Sequence, residues 1–270
     1  QTSFTDGPTA NNFTIFDQII SGTLDLDSVN IYTKIKNYIG AEVQVKMNQI
    51  ISTNTSTGNN VPLTHSSIGN LINLNRAIDN GNSITPSVYR IDYTKANSNI
   101  DLMIENLADI MTTQVQASLN PLGNISSGND FLYFDKVIDV DFHINLPLKF
   151  IANDLRLRQE IDLNIDDNSN PVHEALISIY AENGFPFDAE VQIYLLDLSN
   201  NIIDSILVSG IVTSATTDID NKVVSPVNSV LKYAIPASKM DLINANSKIV
   251  LDIIFNTNST THTTIYKDYY

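Results

Sequence analysis

The stretch Asn183-Gly-Phe-Pro-Phe-Asp-Ala-Glu-Val-Gln-Ile-Tyr-Leu-Leu-Asp197 decides the predicted fold, because a related stretch, Asn37-Tyr-Ile-Gly-Ala-Glu-Val-Gln-Val-Lys-Met47, occurs earlier in the chain. Both contain Ala-Glu-Val-Gln followed by Ile or Val, and the two tetrapeptides begin 148 residues apart. An Ile-Tyr pair precedes each stretch, at Ile31 and at Ile179. We interpret each copy as a strand that ends in Asn, a short turn and a longer strand. The repetition predicts two related domains in tandem.

Alternation of apolar and polar residues at period two extends over much of the chain. It is clearest over residues 131–144, and it recurs over residues 175–180, 189–198 and 248–255. Such alternation is typical of strands with one buried face. Many short strands separated by turns favour a sandwich or a barrel, and the repeated unit favours two related sandwiches. The predicted class is therefore all-β and mainly antiparallel, with two tandem β-sandwich domains.

Two helices are expected within this β-rich chain. Residues 98–111 place apolar side chains at helical spacing on one face, and Ser98 is a candidate N-cap. A shorter helix is expected over residues 237–244, after Pro236. We expect the first helix to be inserted in an N-terminal sandwich of residues 1–150. The C-terminal domain is then residues 151–270.

The charge and the residue types exclude several classes of protein. The net charge is −15, so the surface repels the phosphates of nucleic acids and anionic lipids. Cysteine is absent, which excludes disulfides, thiolate zinc sites and cysteine nucleophiles. The sequence contains no run of 18 apolar residues, so we expect no transmembrane helix.

Motifs for catalysis are missing from the sequence. The four histidines, His65, His143, His173 and His262, are far apart in the chain and form no local metal motif. There is no Gly-x-Ser-x-Gly nucleophile elbow and no glycine-rich phosphate loop. We therefore expect a protein that is not an enzyme and that needs no cofactor.

Calcium is the one metal for which the sequence offers ligands. Asp218, Asp220 and Asn221 form an oxygen-rich loop, as do residues 166–168. Two further carboxylate pairs alternate along strands, at Asp25 and Asp27 and at Asp139 and Asp141. The simpler interpretation is that Asp and Asn populate these turns for backbone reasons and that alternating carboxylates face solvent. Both interpretations remain open at this stage.

The turns of the repeated unit are the candidate partner-binding sites. They carry apolar side chains at positions where turns are usually polar: Tyr38, Ile39, Phe185, Pro186 and Phe187. Exposed apolar side chains of this kind mark interaction surfaces. The alternative is a hydrophobic plug that closes the end of each sandwich.

Several segments of the second half carry a resemblance to known proteins. Asn183 to Asp197, the turn that begins at Asp218, the Ile235-Pro-Ala segment and Ile249 to Thr257 together resemble the C-terminal halves of uncharacterised exported proteins and lipoproteins of Bacteroidota. The unit of strand, Asn, turn and strand also resembles the late-embryogenesis-abundant type 2, immunoglobulin-like sandwich. The resemblance implies an envelope location, a binding or scaffold role and no catalytic residues.

The expected function is that of a non-enzymatic, exported protein of the periplasm or cell surface. It would act as a binding or scaffold subunit of a surface or outer-membrane-associated assembly, with a protein partner. The first residue, Gln1, fits removal of an export signal. The alternatives are a carrier of a lipid or small apolar ligand, and a calcium-dependent glycan-binding or adhesin module.

Overall fold

Antiparallel strands dominate the computed structural model, which describes residues 2–123, 125–133, 135–161, 172–206, 211–244, 248–257 and 260–269. In the first half the strands are β1 (Thr2–Asn12), β2 (Ile19–Leu26), β3 (Asn30–Asn37), β4 (Val43–Asn54), β5 (Asn59–Pro62), β6 (Leu71–Leu74), β7 (Ile78–Asp79), β8 (Ile84–Thr85), β9 (Ser87–Thr94), β10 (Ile110–Leu119) and β11 (Ile138–Asn145). In the second half they are β12 (Lys149–Ile161), β13 (Ala175–Asn183), β14 (Asp188–Leu196), β15 (Ile202–Ile206), β16 (Ile211–Val212), β17 (Thr216–Thr217), β18 (Val223–Ser225), β19 (Val227–Ile235), β20 (Lys248–Asn256) and β21 (Thr263–Thr264). A 3₁₀ turn spans Thr14–Phe16, and the helices are α1 (Ile100–Glu105) and α2 (Ala237–Asn244). The predicted all-β, mainly antiparallel class with two short helices is confirmed.

The chain divides into two compact units. Unit 1 comprises residues 1–16 and 28–147, and unit 2 comprises residues 17–27 and 148–270. Unit 1 contains a sheet of order β1-β10-β4-β5, with β6 also paired to β4, and a second sheet of order β11-β3-β9. Unit 2 contains a sheet of order β15-β14-β20-β12-β2, with β16 on β14 and β21 on β12, and a second sheet of β13 and β19. Strand β2 belongs to unit 2 because it pairs with β12.

The two units share one topology. In each, a strand pair (β3 and β9, or β13 and β19) faces a sheet whose central pair is β4 and β10, or β14 and β20. The helices α1 and α2 occupy the same place in the chain order, between β9 and β10 and between β19 and β20. Three cross-strand pairs of unit 1 have equivalents in unit 2: Ile31–Tyr93 corresponds to Ile177–Tyr233, Val43–Leu74 to Ala189–Val212, and Val45–Ala117 to Val191–Ile253.

Alternating strand residues build the core of each unit. In unit 1 the buried apolar residues include Ile31, Ile35, Val43, Val45, Met47, Ile72, Leu74, Ile91 and Tyr93. In unit 2 one cluster includes Ala189, Val191, Ile193, Leu195, Leu231, Tyr233, Ile235, Met240 and Ile249. The inward faces of equivalent strands are therefore apolar in both units, as period-two alternation predicts.

Equivalent residues of the two units are not separated by the same number of residues as the two tetrapeptides. Asn37 and Asn183 end equivalent strands and are 146 residues apart, whereas the Ala-Glu-Val-Gln tetrapeptides are 148 residues apart. Val43 therefore corresponds to Ala189, since both are opposite equivalent residues of β6 and β16. A shift of two residues is one strand period, so the same side chains face inward at either spacing. The inward-facing residues are therefore apolar in both alignments.

The first helix is shorter than the predicted 98–111. It ends after Glu105, Leu107 takes a φ of +48°, and Ile110 already pairs with β4. The predicted N-cap is also wrong: Asn99 occupies that position, and the Ser98 hydroxyl donates to the carbonyl of Thr94 instead. Pairing of β10 along β4 therefore overrides the helical pattern. The second helix has the predicted bounds, 237–244.

Candidate binding surface

A buried asparagine side chain shapes the turn after β3 in unit 1. The Nδ2 of Asn37 donates to the carbonyls of Ala41 and Asn75, both at 2.9 Å. The Oδ1 of Asn37 accepts the N–H of Ile39 at 2.9 Å. Asn37 is fully buried, so these bonds satisfy polar groups that water cannot reach. One side chain thereby fixes the turn and ties it to the segment after β6.

Unit 2 repeats this arrangement bond for bond. The Nδ2 of Asn183 donates to the carbonyls of Phe187 at 3.0 Å and Thr213 at 3.1 Å. Its Oδ1 accepts the N–H of Phe185 at 2.8 Å. The conserved geometry explains why both sequence copies place Asn at the end of the first strand.

The predicted partner-binding residues of the two turns pack largely inside their own units. Ile39 and Phe187 are buried, and Tyr38, Phe185 and Pro186 are half-buried. In unit 1, Gly40 lies directly under the ring of Phe131. In unit 2 an aromatic cluster surrounds the turn: Phe150, Phe185, Phe187, Phe255 and Tyr269. This packing is that of the hydrophobic plug; binding of a partner at the turns stays a prediction.

The candidate calcium loop has the hydrogen bonds of an ordinary turn. The Oδ1 of Asp218 accepts the N–H of Asp220 and of Lys222, both at 2.9 Å, and Asn221 adopts a φ of +59°. In the described residues no three or more His, Asp or Glu side chains cluster in a way that could hold a metal ion. Backbone geometry accounts for these residue types, and calcium binding stays a prediction. The second candidate loop, residues 166–168, lies outside the described residues.

The carboxylate pair on β11 lies beside a lysine of β3. The Nζ of Lys36 is 2.6 Å from Asp141 and 3.1 Å from Asp139. The hydrogen bonds to Asp141 and then Asp139 raise the pKa of Lys36, and Lys36 lowers the pKa of Asp141. The pair therefore helps to attach β11 to β3.

The other pair, Asp25 of β2 and Asp27 just after it, lies beside basic side chains of unit 2. The Oδ1 of Asp25 is 3.2 Å from the Nε2 of His262, and the Oδ1 of Asp27 is 2.9 Å from the Nζ of Lys149. Lys149 lies on β12, the strand with which β2 pairs. Asp25 and Asp27 therefore contact basic side chains, as Asp139 and Asp141 of β11 do.

Strand β11 carries a row of exposed apolar side chains on the face that continues the core-facing side of β3. Residues opposite one another in antiparallel strands project from the same face of a sheet. Val140 is opposite Ile35 and Phe142 is opposite Thr33, both of which are buried in β3. Val140 and Phe142 are nevertheless each 58% exposed. We call Ile138, Val140, Phe142 and Ile144 the apolar row of β11.

The facing sheet is uncovered at the same side. Phe4 of β1 is opposite Ala117, which is opposite the buried Val45, so the Phe4 ring is on the core side of its sheet. It is 65% exposed. Strands β6 and β9 contact each other, and β1 and β11 are the strands at the opposite ends of their two sheets. We call Phe4 and the apolar row of β11 the open side of unit 1.

A polar cleft of about 340 Å³ lies elsewhere on unit 1. Its lining residues are His65, Ser66, Ser67, Asn70, Leu71, Ile72, Tyr89, Arg90, Ile91, Asp92 and Asn97. The Nδ1 of His65 accepts the N–H of Ser67 at 3.1 Å and is 2.8 Å from its hydroxyl. Burial lowers the pKa of His65. Arg90 and Asp92 bind each other, so the cleft offers mainly neutral hydrogen-bonding groups.

Unit 2 contains an ion cluster of one buried aspartate and two half-buried arginines on the outer face of its large sheet. Asp252 of β20 is fully buried and accepts hydrogen bonds from Arg158 at 2.7 and 2.8 Å. Arg156 is 3.4 Å from the same carboxylate and 3.3 Å from the Tyr194 hydroxyl. The sequence signals this cluster only through two arginines spaced two apart, which places both on one strand face.

Sequence reasoning missed both the open side and the cleft. The clean alternation over residues 131–144 indicates a strand with an apolar face, and such a face is normally buried. Whether that face is exposed depends on how far the opposite sheet extends over it. The cleft unites residues 65–72 with residues 89–97, which are distant in the sequence. No helix in the described part of the chain is both long and apolar enough to cross a membrane.

Comparisons with known proteins give one structural neighbour. No family model and no curated protein matches the chain. A crystal structure of a "putative secreted protein" from Parabacteroides distasonis ATCC 8503 has a TM-score of 0.35 and 14% sequence identity, over 96% of this chain and 77% of that one. At this TM-score the likeness supports no structural argument.

Proposed function

We propose that this protein is a non-enzymatic, exported cell-envelope protein that acts as a binding or scaffold subunit of a protein assembly. The open side of unit 1 supports the proposal. Soluble proteins rarely leave several large apolar side chains adjacent and exposed unless the surface binds a partner. Val140, Phe142 and Phe4 are each more than half exposed and project from the core-facing sides of their sheets.

The charge favours a protein partner over a membrane or a nucleic acid. Asp139 and Asp141 alternate with the apolar row of β11, and the chain as a whole carries a net charge of −15. Anionic lipid surfaces and nucleic acids would repel such a surface. A protein partner with an apolar patch and a basic rim would complement it.

A pull-down from membranes of the producing organism tests the proposal. The bait with Val140→Thr and Phe142→Ser has a less apolar open side and should lose a complex that the unaltered bait recovers. A matched bait with Leu198→Ser and Val224→Thr loses two exposed apolar side chains of unit 2 and should retain it. Recovery of the same complex by all three baits would contradict the role of the open side, and recovery of none would contradict the assembly role.

Glycan binding is a second candidate, and the polar cleft at His65 favours it. Neutral hydrogen-bonding groups beside the exposed ring of Tyr89 suit a sugar better than an apolar ligand. Titration with neutral oligosaccharides, followed by NMR of the His65 ring, tests this. Saturable shifts that disappear in Tyr89→Ala support the candidate; unchanged His65 resonances would exclude it for those sugars.

A further inference from the structure

Strand β11, which carries the apolar row, is regular along its whole length. Its register against β3 runs from Ile138 to Asn145 without a shift, and it contains no proline. Strand β1, at the end of the facing sheet, contains Pro8 and a register shift between Asp6 and Thr9. Proline and bulges are features that prevent a strand from pairing further. Strand β11 carries neither, so its backbone suits contact with another regular strand.

We propose that two copies of this chain associate through β11, with the two strands antiparallel and side by side. This occupant rests on the proposed role of the open side of unit 1 as a binding surface. The observation that carries it is the exposure of Val140 and Phe142, each 58% accessible on an apolar face. A strand with the same row, turned antiparallel, presents apolar side chains beside apolar side chains.

The charged side chains of β11 select the register of the two strands. When the pairing is centred on Phe142, Asp141 of each copy lies opposite His143 of the other. An imidazole N–H can donate to a carboxylate, so this pair is favourable. Centring on Asp141 or on Val140 would instead place carboxylates of the two copies opposite each other, which is unfavourable. The register centred on Phe142 avoids such pairs.

The apolar side chains fit the same register. Phe142 lies opposite its own copy, and Val140 lies opposite Ile144 on either side of it. Cross-strand pairs of aromatic and β-branched residues stabilise sheets, and a central aromatic residue is a common anchor of interfaces. A two-fold contact of this kind is self-complementary, so it gives a closed dimer and not a filament.

Lysines of β3 offset the negative charge of β11. The Nζ of Lys36 is 2.6 Å from Asp141 and 3.1 Å from Asp139. Lys34 is the residue opposite Asp141. The outward face of these two strands is therefore nearly balanced in charge, although the whole chain carries −15. Repulsion between two copies at this face is accordingly weaker than the net charge suggests.

Sedimentation velocity of the whole protein, over a wide range of concentration, tests for the dimer. In buffer above neutral pH, His143→Lys places an ammonium group opposite Asp141 of the other copy and should tighten the dimer about threefold or more, whereas His143→Asp should weaken it about threefold or more. Thr217→Lys and Thr217→Asp, at an exposed residue of β17 in unit 2, make matched changes in net charge and should leave the dimer nearly unchanged.

Cysteine cross-linking tests the register, because the chain has no cysteine of its own. Chains with Val140→Cys and chains with Ile144→Cys, mixed in equal amounts and mildly oxidised, should form a disulfide between copies, since the two positions are opposite each other. Chains with Val140→Cys alone should cross-link far less, because the two cysteines would lie about 13 Å apart along the strands.

The outcomes separate this dimer from the proposed function. A monomer at every concentration would overturn the second copy as the occupant, and an envelope complex that still depends on the open side would then identify a different protein there. Equal shifts in the His143 and Thr217 variants, or equal cross-linking in the mixture and in Val140→Cys alone, would overturn the β11 contact. A β11 dimer that recovers no envelope complex would support the contact and contradict the assembly role alone.

Discussion

Units 1 and 2 share one topology but differ at two places: the outer edge of one strand and the outer face of the large sheet. Unit 1 covers the outer edge of β3 with its own strand β11, whereas β13 of unit 2 has no such strand in the described residues. On the outer face of the large sheet, unit 2 buries Asp252 beneath two arginines. The equivalent position in unit 1 is Gln116, which is neutral and half-buried. The shared parts specify the fold, and the differences distinguish the two units in the pairing of one strand edge and in a buried charge.

The buried ion cluster is the largest expected difference in stability. Asp252→Ala leaves Arg156 and Arg158 without their carboxylate; because the two arginine side chains are 30% and 27% exposed, we expect a cost of about 3 kcal/mol, at the low end for removal of one partner from a buried ion pair. Gln116→Ala in unit 1 should cost at most about 1 kcal/mol. Urea unfolding followed by circular dichroism measures both. Similar losses in the two variants would contradict the asymmetry.

The asparagine turns should behave alike. Asn37→Ala and Asn183→Ala each leave two carbonyls and one N–H without their partner in a buried turn. Buried groups that lose their hydrogen bonds cost about 1–3 kcal/mol each where water cannot replace them, so we expect a loss of about 2–4 kcal/mol in each variant. Chemical denaturation of both variants checks this. A large loss in one unit and none in the other would show that the turns are not equivalent.

The equivalent tyrosines Tyr93 and Tyr233 should respond oppositely to loss of the hydroxyl. The Tyr93 hydroxyl lies 3.5 Å from that of Ser67, whereas the Tyr233 hydroxyl is buried with no hydrogen-bond partner in the described residues. Tyr93→Phe should therefore cost about 1 kcal/mol, and Tyr233→Phe should be neutral or stabilising. Thermal melts of the two variants give the comparison. A destabilised Tyr233→Phe would indicate that its hydroxyl does have a partner.

The smallest expected effect is a dependence of the free energy of unfolding on pH, which comes from His65 of unit 1. Burial lowers the pKa of His65 below its ordinary 6.5, so below pH 6.5 the unfolded state binds a proton more readily than the folded state. Stability should therefore fall as the pH falls through 6.5. His65→Asn should remove this component. Urea midpoints between pH 7.5 and 5.5 test the slope, and an unchanged slope in the variant would contradict the assignment.

The sequence predicts the class, the second helix and strands such as β13, β14 and β20, because these depend on local periodicity. It fails where distant segments compete: β10 pairs with β4 and shortens the helix predicted over residues 98–111. It also misassigns the register of the repeat by two residues, since Ala-Glu-Val-Gln fits either register of an alternating strand. The buried hydrogen bonds of Asn37 and Asn183 fix the true equivalence, and only the folded chain shows them.

The candidate surfaces were harder to predict for the same reason. The turns around Ile39 and Phe187 are apolar because they close their own units. The apolar row of β11 looks in sequence like any core-facing strand, although Val140 and Phe142 are exposed. Whether an apolar residue is covered depends on the neighbouring sheet, which one-dimensional alternation does not describe.

Amide hydrogen exchange, resolved by NMR along β3 and β13 of the whole protein, most directly tests the claim that equivalent strands differ at one edge. We expect slow exchange at every amide of residues 31–36, since β3 is paired on both sides. Along residues 176–182 we expect slow and fast amides to alternate, because β19 is the one strand of the described residues that pairs with β13. Uniformly slow exchange along β13 would contradict the claim.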